Sequence, residues 1–265
     1  MKLCEKEIRR HLSGKQELAF ELFDTLPSTN SYLKELAEKG ERQGLVAVAD
    51  TQSAGRGRMG RAFACPSGSG IYMSVLLRPK SALADATLIT ACAAVAVSEA
   101  IENATGIKVG IKWVNDLYYG GKKVCGILAE GTYSAEKSAY EHVILGIGIN
   151  LLDTFGGTEL EGIAGGLYED LEKDAINDLR HTLIAEVLDC FFGYYDLGLS
   201  DIRAELLRKY EERLFIVGKA VDVISYTGEK QATVLGLNGD FSLSVSYSDG
   251  SVGTLNSGEV RLRVL

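Results

Sequence analysis

The sequence predicts an α+β protein: a mixed β-sheet with helices, followed by a small C-terminal antiparallel β-barrel. Three observations carry this. Strand-like stretches recur up to Leu152, interrupted by amphipathic or wholly apolar helical runs. Residues 174–214 are almost continuously helical in spacing. From Phe215 the pattern changes to short alternating strands, punctuated at Thr227-Gly228, Asn238-Gly239, Asp249-Gly250 and Ser257-Gly258. Regular turn signals of that kind mark a small barrel. The expected boundary lies near 215, dividing 1–214 from 215–265.

Taken in order, alternation at Phe20 and Leu22 opens a strand that turns at Pro27. Ser28 or Thr29 then caps a helix through Lys39, with Leu33, Leu36 and Ala37 on one face and Gly40 as its stop. GLVAVADTQ reads as a buried strand, and Ile71–Leu77 as the next. Asp85–Asn103 is alanine-rich and apolar nearly all round, which predicts a buried helix packed on the sheet and ended by Gly106. IKVGIKW alternates Ile107, Val109, Ile111 and Trp113, a strand signal. DLYYGGKKVCGILAEG predicts a hairpin about Gly120-Gly121. HVILGIGINLL is apolar on both faces and so belongs at the sheet centre. Asp153–Lys173 is glycine-rich with acidic patches and predicts the least order. Asp174–Leu199 and Asp201–Leu214 carry apolar residues at helical spacing.

Composition excludes several classes. A net charge of −8 and a pI near 5.1 argue against generic nucleic-acid binding. Before Ser28 only Glu5–Leu12 reads as a helix, so a three-helix DNA-binding head is not expected. The charged N-terminus lacks a signal-peptide core, and no run approaches the ~18 apolar residues of a membrane span, so a cytoplasmic chain is expected. Five scattered cysteines without a C-x-x-C pair argue against a disulfide framework and structural zinc. The three histidines lie in unrelated segments, and neither G-x-S-x-G nor a P-loop occurs.

The chemistry concentrates in Asp50–Pro79, DTQSAGRGRMGRAFACPSGSGIYMSVLLRP. Gly55, Gly57 and Gly60 permit close backbone approach. Arg56, Arg58 and Arg61 supply guanidinium forks suited to phosphate and carboxylate. GRGRMG formally matches the dinucleotide fingerprint, but that motif must open a helix, and here Pro66, further turn formers and a strand follow. With no acid between Thr51 and Arg78, an anion-binding loop is favoured over a solvated surface loop.

TQSAGRGRMGR, KWVNDL at Lys112–Leu117, KKVCGIL at Lys122–Leu128 and GIGIN at Gly146–Asn150 occur in an order that resembles biotin–protein ligase, over roughly residues 22–265. The resemblance implies a class II aminoacyl-tRNA synthetase-like (biotin–lipoate ligase) catalytic domain without an N-terminal DNA-binding domain. It further implies biotin and ATP as substrates with Mg²⁺, and a biotin carboxyl carrier domain of a carboxylase such as acetyl-CoA carboxylase as partner. No DNA or membrane partner is expected, and a homodimer through paired sheet edges stays open.

Read alone, Ser28-Thr29-Asn30 is a helix cap; the resemblance implies that these residues and Gln52 meet the ureido head of biotin. It adds Gly55, Arg56, Gly57, Arg58, Lys123 and Gly126 to the biotin set, and gives Arg58, Arg61, Phe63, Lys112, Trp113, Asn115 and Asn150 to ATP. Arg56, Arg58, Lys112 and Lys123 are the expected catalytic cations, Lys123 touching both the biotin carboxylate and the α-phosphate. Trp113 equally suits the core, and Gly146 and Gly148 suit either ligand approach or helix packing. Lys122 is expected to face solvent, and Val114 stands where the family usually has proline. Metal ligands are not assigned. The competing readings are a lipoate–protein ligase or octanoyl transferase of the same fold, and a biotin-sensing regulator without turnover.

Overall fold

The computed structural model describes residues 3–14, 16–79, 86–136, 138–225 and 228–256, and the backbone of 260–264. A seven-stranded mixed sheet forms the larger layer, in the order β1-β2-β3-β7-β6-β5-β4. Its strands are β1 (Ala19–Leu26), β2 (Leu45–Gln52), β3 (Gly70–Leu77), β4 (Gly110–Lys112), β5 (Asp116–Tyr119), β6 (Lys122–Ser134) and β7 (Ala139–Asn150). Only β1 and β2 pair in parallel; every other neighbour is antiparallel. HVILGIGIN is therefore the central strand, as its apolar faces predict.

Helices cover both faces. The helix α2 (Thr29–Glu38) lays Leu33 and Ala37 on Leu45, Ala47, Leu76 and Ile144, a small core of its own. On the other face α3 (Ala86–Thr105) is sandwiched between the sheet and α4 (Lys173–Tyr195). Its alanines let both neighbours approach, and residues from Leu88 to Ser98 are buried without a break. By length and apolarity α3 could cross a membrane, contrary to the expectation that no run comes close; its burial makes it the core helix of this fold. The expected starting residue of this helix, Asp85, lies outside the described residues. The helix α1 (Glu5–His11) docks on α4, where His181 Nε2 accepts the Cys4 N–H at 3.1 Å.

One expected strand is mostly absent. Of IKVGIKW only Gly110–Lys112 pairs, as β4. Ile107 N–H is taken by the Thr105 hydroxyl at 3.1 Å in the exit from α3, so the alternation there reflects burial of Val109 and Ile111 rather than a ladder.

After α5 (Arg203–Arg213) the chain enters the expected C-terminal antiparallel sheet, of order β11-β10-β9-β8-β12. It comprises β8 (Ala220–Ser225), β9 (Gly228–Leu237), β10 (Leu243–Tyr247), β11 (Val252–Leu255) and β12 (Val260–Val264). The turn signals at Thr227 and Ser257-Gly258 fall outside the described residues. Trp113 Nε1 donates to the Phe241 carbonyl at 2.9 Å, joining the two sheets.

Candidate active site

The glycine–arginine segment is a hairpin laid over the sheet. Arg56 bridges Ala62, Gly57 N–H reaches Arg61 O at 2.7 Å, and Phe63 N–H reaches Gly55 O at 2.9 Å. A single 3-10 turn, Arg58–Gly60, forms the tip, with Met59 at φ 57° and Gly60 at φ 73°. The strand β3 follows, so the segment opens no helix. At the hairpin base Thr51 Oγ1 donates to Cys65 O at 2.6 Å, and Ala54 N–H to Pro27 O at 2.9 Å.

Beneath this hairpin lie two cavities sharing Gly57, Arg58, Phe63, Asn115 and Lys123. The smaller is the expected biotin set with a floor of glycines. Ser28, Thr29, Asn30 and Gln52 line its head, Gly126, Gly146 and Gly148 its floor, and Arg56 its mouth. The larger, about 430 Å³, takes in Arg61, Lys112, Trp113, Asp116 and Asn150, with Phe155 and Ile163 from the segment after β7 and Ile224 from the second sheet. That is a volume proper to small-molecule sites. Every expected site residue lines one cavity or both except Gly55. Gly55 is buried, and a Cβ there would strike the Phe63 carbonyl, so its lack of a side chain serves the hairpin itself.

The floor glycines are needed for space. A Cβ on Gly146 would overlap the Asn30 amide, and one on Gly148 would lie 2.5 Å from the Phe63 ring. Asn30 belongs to α2, so at Gly146 the missing side chain serves helix packing on the sheet, whereas Gly148 faces Phe63 of the hairpin; both glycines also line the smaller cavity.

A chain of hydrogen bonds runs under the pocket head. Glu130 Oε2 accepts from Asn30 Nδ2 at 2.9 Å, Asn30 Oδ1 lies 2.6 Å from Ser74 Oγ, and Ser74 Oγ lies 2.7 Å from Thr29 Oγ1. Gln52 Oε1 accepts the Thr29 N–H at 2.7 Å, and Gln52 Nε2 reaches Cys65 Sγ at 3.1 Å. Burial pushes the Cys65 thiol up to about 11, despite the Gln52 contact, so it stays protonated. Ser28 is also the N-cap of α2, its Oγ accepting Ser31 N–H at 3.4 Å.

The cations are arranged around acids from neighbouring strands. Arg56 Nη2 pairs with Glu130 Oε1 at 2.8 Å, and Lys123 Nζ with Asp116 Oδ1 at 2.6 Å. Arg58 Nη1 donates to Asn115 Oδ1 at 3.1 Å. Lys112 Nζ sits 5.5 Å from the Tyr118 ring centroid. Burial lowers the Lys112 pKa, opposed by Asp116 and reinforced by Lys123 and Arg61. Burial likewise raises the Tyr118 phenol to about 12. Lys122 points away, half-exposed, to Asp153 at 2.8 Å. Asn150 Nδ2 donates to Gly165 O at 3.1 Å, leaving Oδ1 a buried acceptor without a partner. The Trp113–Val114 peptide is cis.

Glu130, Asp116 and Ser74 are polar residues of the site that sequence reasoning passed over, as it did Phe155, Ile163 and Ile224 in the larger cavity. Period-2 alternation was the available signal for the first, because Gly126, Leu128 and Glu130 share one face of β6. Among the described residues no group of three or more His, Cys, Asp and Glu could hold a metal ion, and all five cysteines are free thiols.

Fold and hairpin accord with a class of protein ligases: residues 22–150 match the model of the biotin/lipoate A/B protein ligase family. The bifunctional ligase/repressor BirA of Bacillus subtilis is 44% identical over 254 residues, covering 94% of this chain and 76% of that protein. The biotin–[acetyl-CoA-carboxylase] ligase of Paracoccus denitrificans is 36% identical over 126 residues, 47% of this chain and 51% of its own. Among solved structures, biotin protein ligase from Aquifex aeolicus in complex with biotin and ATP superposes with a TM-score of 0.73 at 26% identity, covering 94% of this chain and 100% of that one. The chain belongs to the biotin–protein ligases and is an enzyme.

Proposed function

We propose that this enzyme activates biotin with ATP, giving biotinyl-5′-AMP and pyrophosphate, and then transfers biotin to a lysine of a biotin carboxyl carrier domain. The observation that carries the reading is the sharing of Arg58 and Lys123 by both cavities. A carboxylate leaving the smaller pocket and a phosphate entering the larger one would meet at the same two cations.

In the first step a carboxylate oxygen attacks the α-phosphorus and the bond to pyrophosphate breaks. The obstacle is bringing an anion up to a polyanion. Arg56, Arg58, Lys112 and Lys123 offset the repulsion and stabilise the charge of the transition state. Mg²⁺, which takes most of its ligands from phosphate oxygens and water and needs only one or two carboxylates, would find Asp116 in the larger cavity and would neutralise phosphate charge. In the second step a neutral carrier amine attacks the acyl carbon, the bond to AMP breaks, and the amine proton passes to solvent. Between the two steps the anhydride must be kept from water, and the hairpin bearing Arg56 and Arg58 is placed to cover it.

The head of the smaller pocket supports biotin over lipoate or octanoate. It presents a run of polar groups suited to a ureido ring, and such a site rejects ligands that leave its polar atoms unpaired. The test is incubation of the enzyme and ATP with a carrier domain and each acid in turn, read by intact mass. Biotin alone should add its mass to one lysine, with pyrophosphate released. Labelling by lipoate or octanoate instead, or pyrophosphate release with no acid preference, would overturn the reading.

A further inference from the structure

The donor–acceptor pattern of the pocket head depends on a residue outside it. Asn30 is buried and its amide could in principle face either way. At one end of the hydrogen-bond chain Gln52 is oriented by the backbone N–H of Thr29, which can only donate. At the other end the orienting group is Glu130, whose carboxylate can only accept. That contact turns the Asn30 NH₂ toward Glu130 and the Leu128 carbonyl (3.4 Å), and turns Oδ1 toward Ser74 and the bare backbone of Gly146. The other Glu130 oxygen holds Arg56 at the pocket mouth. Asn30 lines the smaller cavity, and with its NH₂ engaged by Glu130 and Leu128 and one Oδ1 lone pair by Ser74, what its amide has left for a ligand is an acceptor.

We propose that Glu130 is a positioning residue that sets ligand specificity: its carboxylate locks the Asn30 amide with Oδ1 inward, so that the pocket selects a ligand head bearing a ring N–H. The inference rests on the biotin reading given above. Glu130 itself touches no substrate; it acts through Asn30 and, separately, through Arg56.

The two contacts are separable. Glu130→Gln keeps an acceptor for the Asn30 NH₂ but loses the charge that pairs with Arg56, whereas Glu130→Met loses both. The assay is kcat/KM for biotin against an analogue whose ring N–H groups are replaced by oxygen, with KM for ATP measured alongside. Wild-type turnover of biotin is established first, so that failure of the biotin reading is recognised before any variant is judged. The expected result is a wild-type preference for biotin that falls at least tenfold in Glu130→Met and less than threefold in Glu130→Gln. KM for biotin should rise at least tenfold in Glu130→Met while KM for ATP stays within twofold. A folded Met variant with wild-type preference would overturn the proposal, as would a Gln variant as indiscriminate as Met, which would place the whole effect on Arg56. Exchange of the two groups gives an independent check. Asn30→Asp sets two carboxylates together and should abolish biotin turnover, and adding Glu130→Gln should restore it at least tenfold. No restoration would equally overturn the assignment.

Discussion

Arg58 Nη1 donates to Asn115 Oδ1 at 3.1 Å, across the boundary between the two cavities. Asn115 is itself clamped to β6, its Nδ2 on the Ile127 carbonyl at 2.8 Å and its carbonyl on the Ile127 N–H at 2.9 Å. The hairpin tip is thus tied to a fixed point of the sheet by one charge-assisted bond. Such a bond contributes about 1.5–3 kcal/mol, or roughly 10- to 150-fold in an equilibrium constant. Arg58→Ala is therefore expected to release biotinyl-AMP at least tenfold faster. Rapid filtration of enzyme given biotin and labelled ATP without carrier measures it; retention equal to wild type would remove the hairpin from the role of cover.

Gly146 faces the Asn30 amide so closely that even a methyl group displaces it. Asn30 is buried, with its neighbours Thr29 and Ser74 packed and bonded around it, so it has nowhere to move. Gly146→Ala should cost about 1–3 kcal/mol of stability, as overpacking does. It should also raise KM for biotin at least tenfold while KM for ATP changes little, because Gly146 lines only the smaller cavity. Equal effects on both substrates would contradict the division of the site.

Lys112 gives a pH dependence of definite sign. Burial lowers its pKa in the free enzyme, with Lys123 and Arg61 adding to the shift and Asp116 opposing it. A triphosphate in the larger cavity favours the charged form. Below the depressed pKa the lysine is already protonated and ATP affinity is flat. Above it, binding must take up a proton, and affinity falls as the pH rises, by at most about tenfold per pH unit. Lys112→Arg should flatten that decline, since a guanidinium stays charged. KM for ATP measured from neutral to strongly alkaline pH decides it, and a profile unchanged by the substitution would exclude Lys112 as the titrating group.

Most of the site was legible because its residues are consecutive in short blocks whose elements could be read locally. Gly120-Gly121 fixes a hairpin, and the hairpin brings Lys123 of β6 opposite Tyr118, two residues from the pairing of Asp116 with Lys112. The central strand was legible from two apolar faces, and the capping role of Ser28 from its residue type. What escaped was set by long-range pairing. No local pattern says that Glu130 faces Arg56, which lies 74 residues earlier and reaches it only through sheet order. Trp113 admitted two readings because a strand end beside a pocket is also the seam between two sheets. The structure gives it both faces, since it lines the larger cavity while its indole N–H holds the Phe241 carbonyl. The alternation through Ile107 and Val109 misled because burial alone can mimic a strand where chain leaves a helix.

Asp50 and Arg180 anchor the hairpin from behind. Arg180 of α4 is 2% exposed, with Nη2 2.7 Å from Asp50 Oδ1 at the end of β2. Asp50 also accepts the Ser67 hydroxyl and the Gly68 N–H, so one carboxylate joins α4 to the hairpin's return limb. Burial alone would push this carboxyl up, but Ser67, Arg180 and Gly68 together outweigh it and hold it below the ordinary value of 3.8. A depressed acid stabilises the fold fully above its unfolded pKa, near 4, and that contribution is lost as the pH falls through the lower folded value. Asp50→Asn leaves a buried guanidinium without its counter-charge and should cost about 3 kcal/mol at neutral pH. As the pH falls through the depressed folded pKa the wild type loses the same contribution, so the gap between the two curves should narrow on acidification. Urea unfolding of both proteins from pH 7 down to pH 3 tests this directly. A gap that stays constant with pH would show that shape, and not charge, is what Asp50 contributes. Arg180→Met in the Asp50→Asn background should recover part of the loss, because it removes the orphaned charge while keeping an apolar filling of the same site.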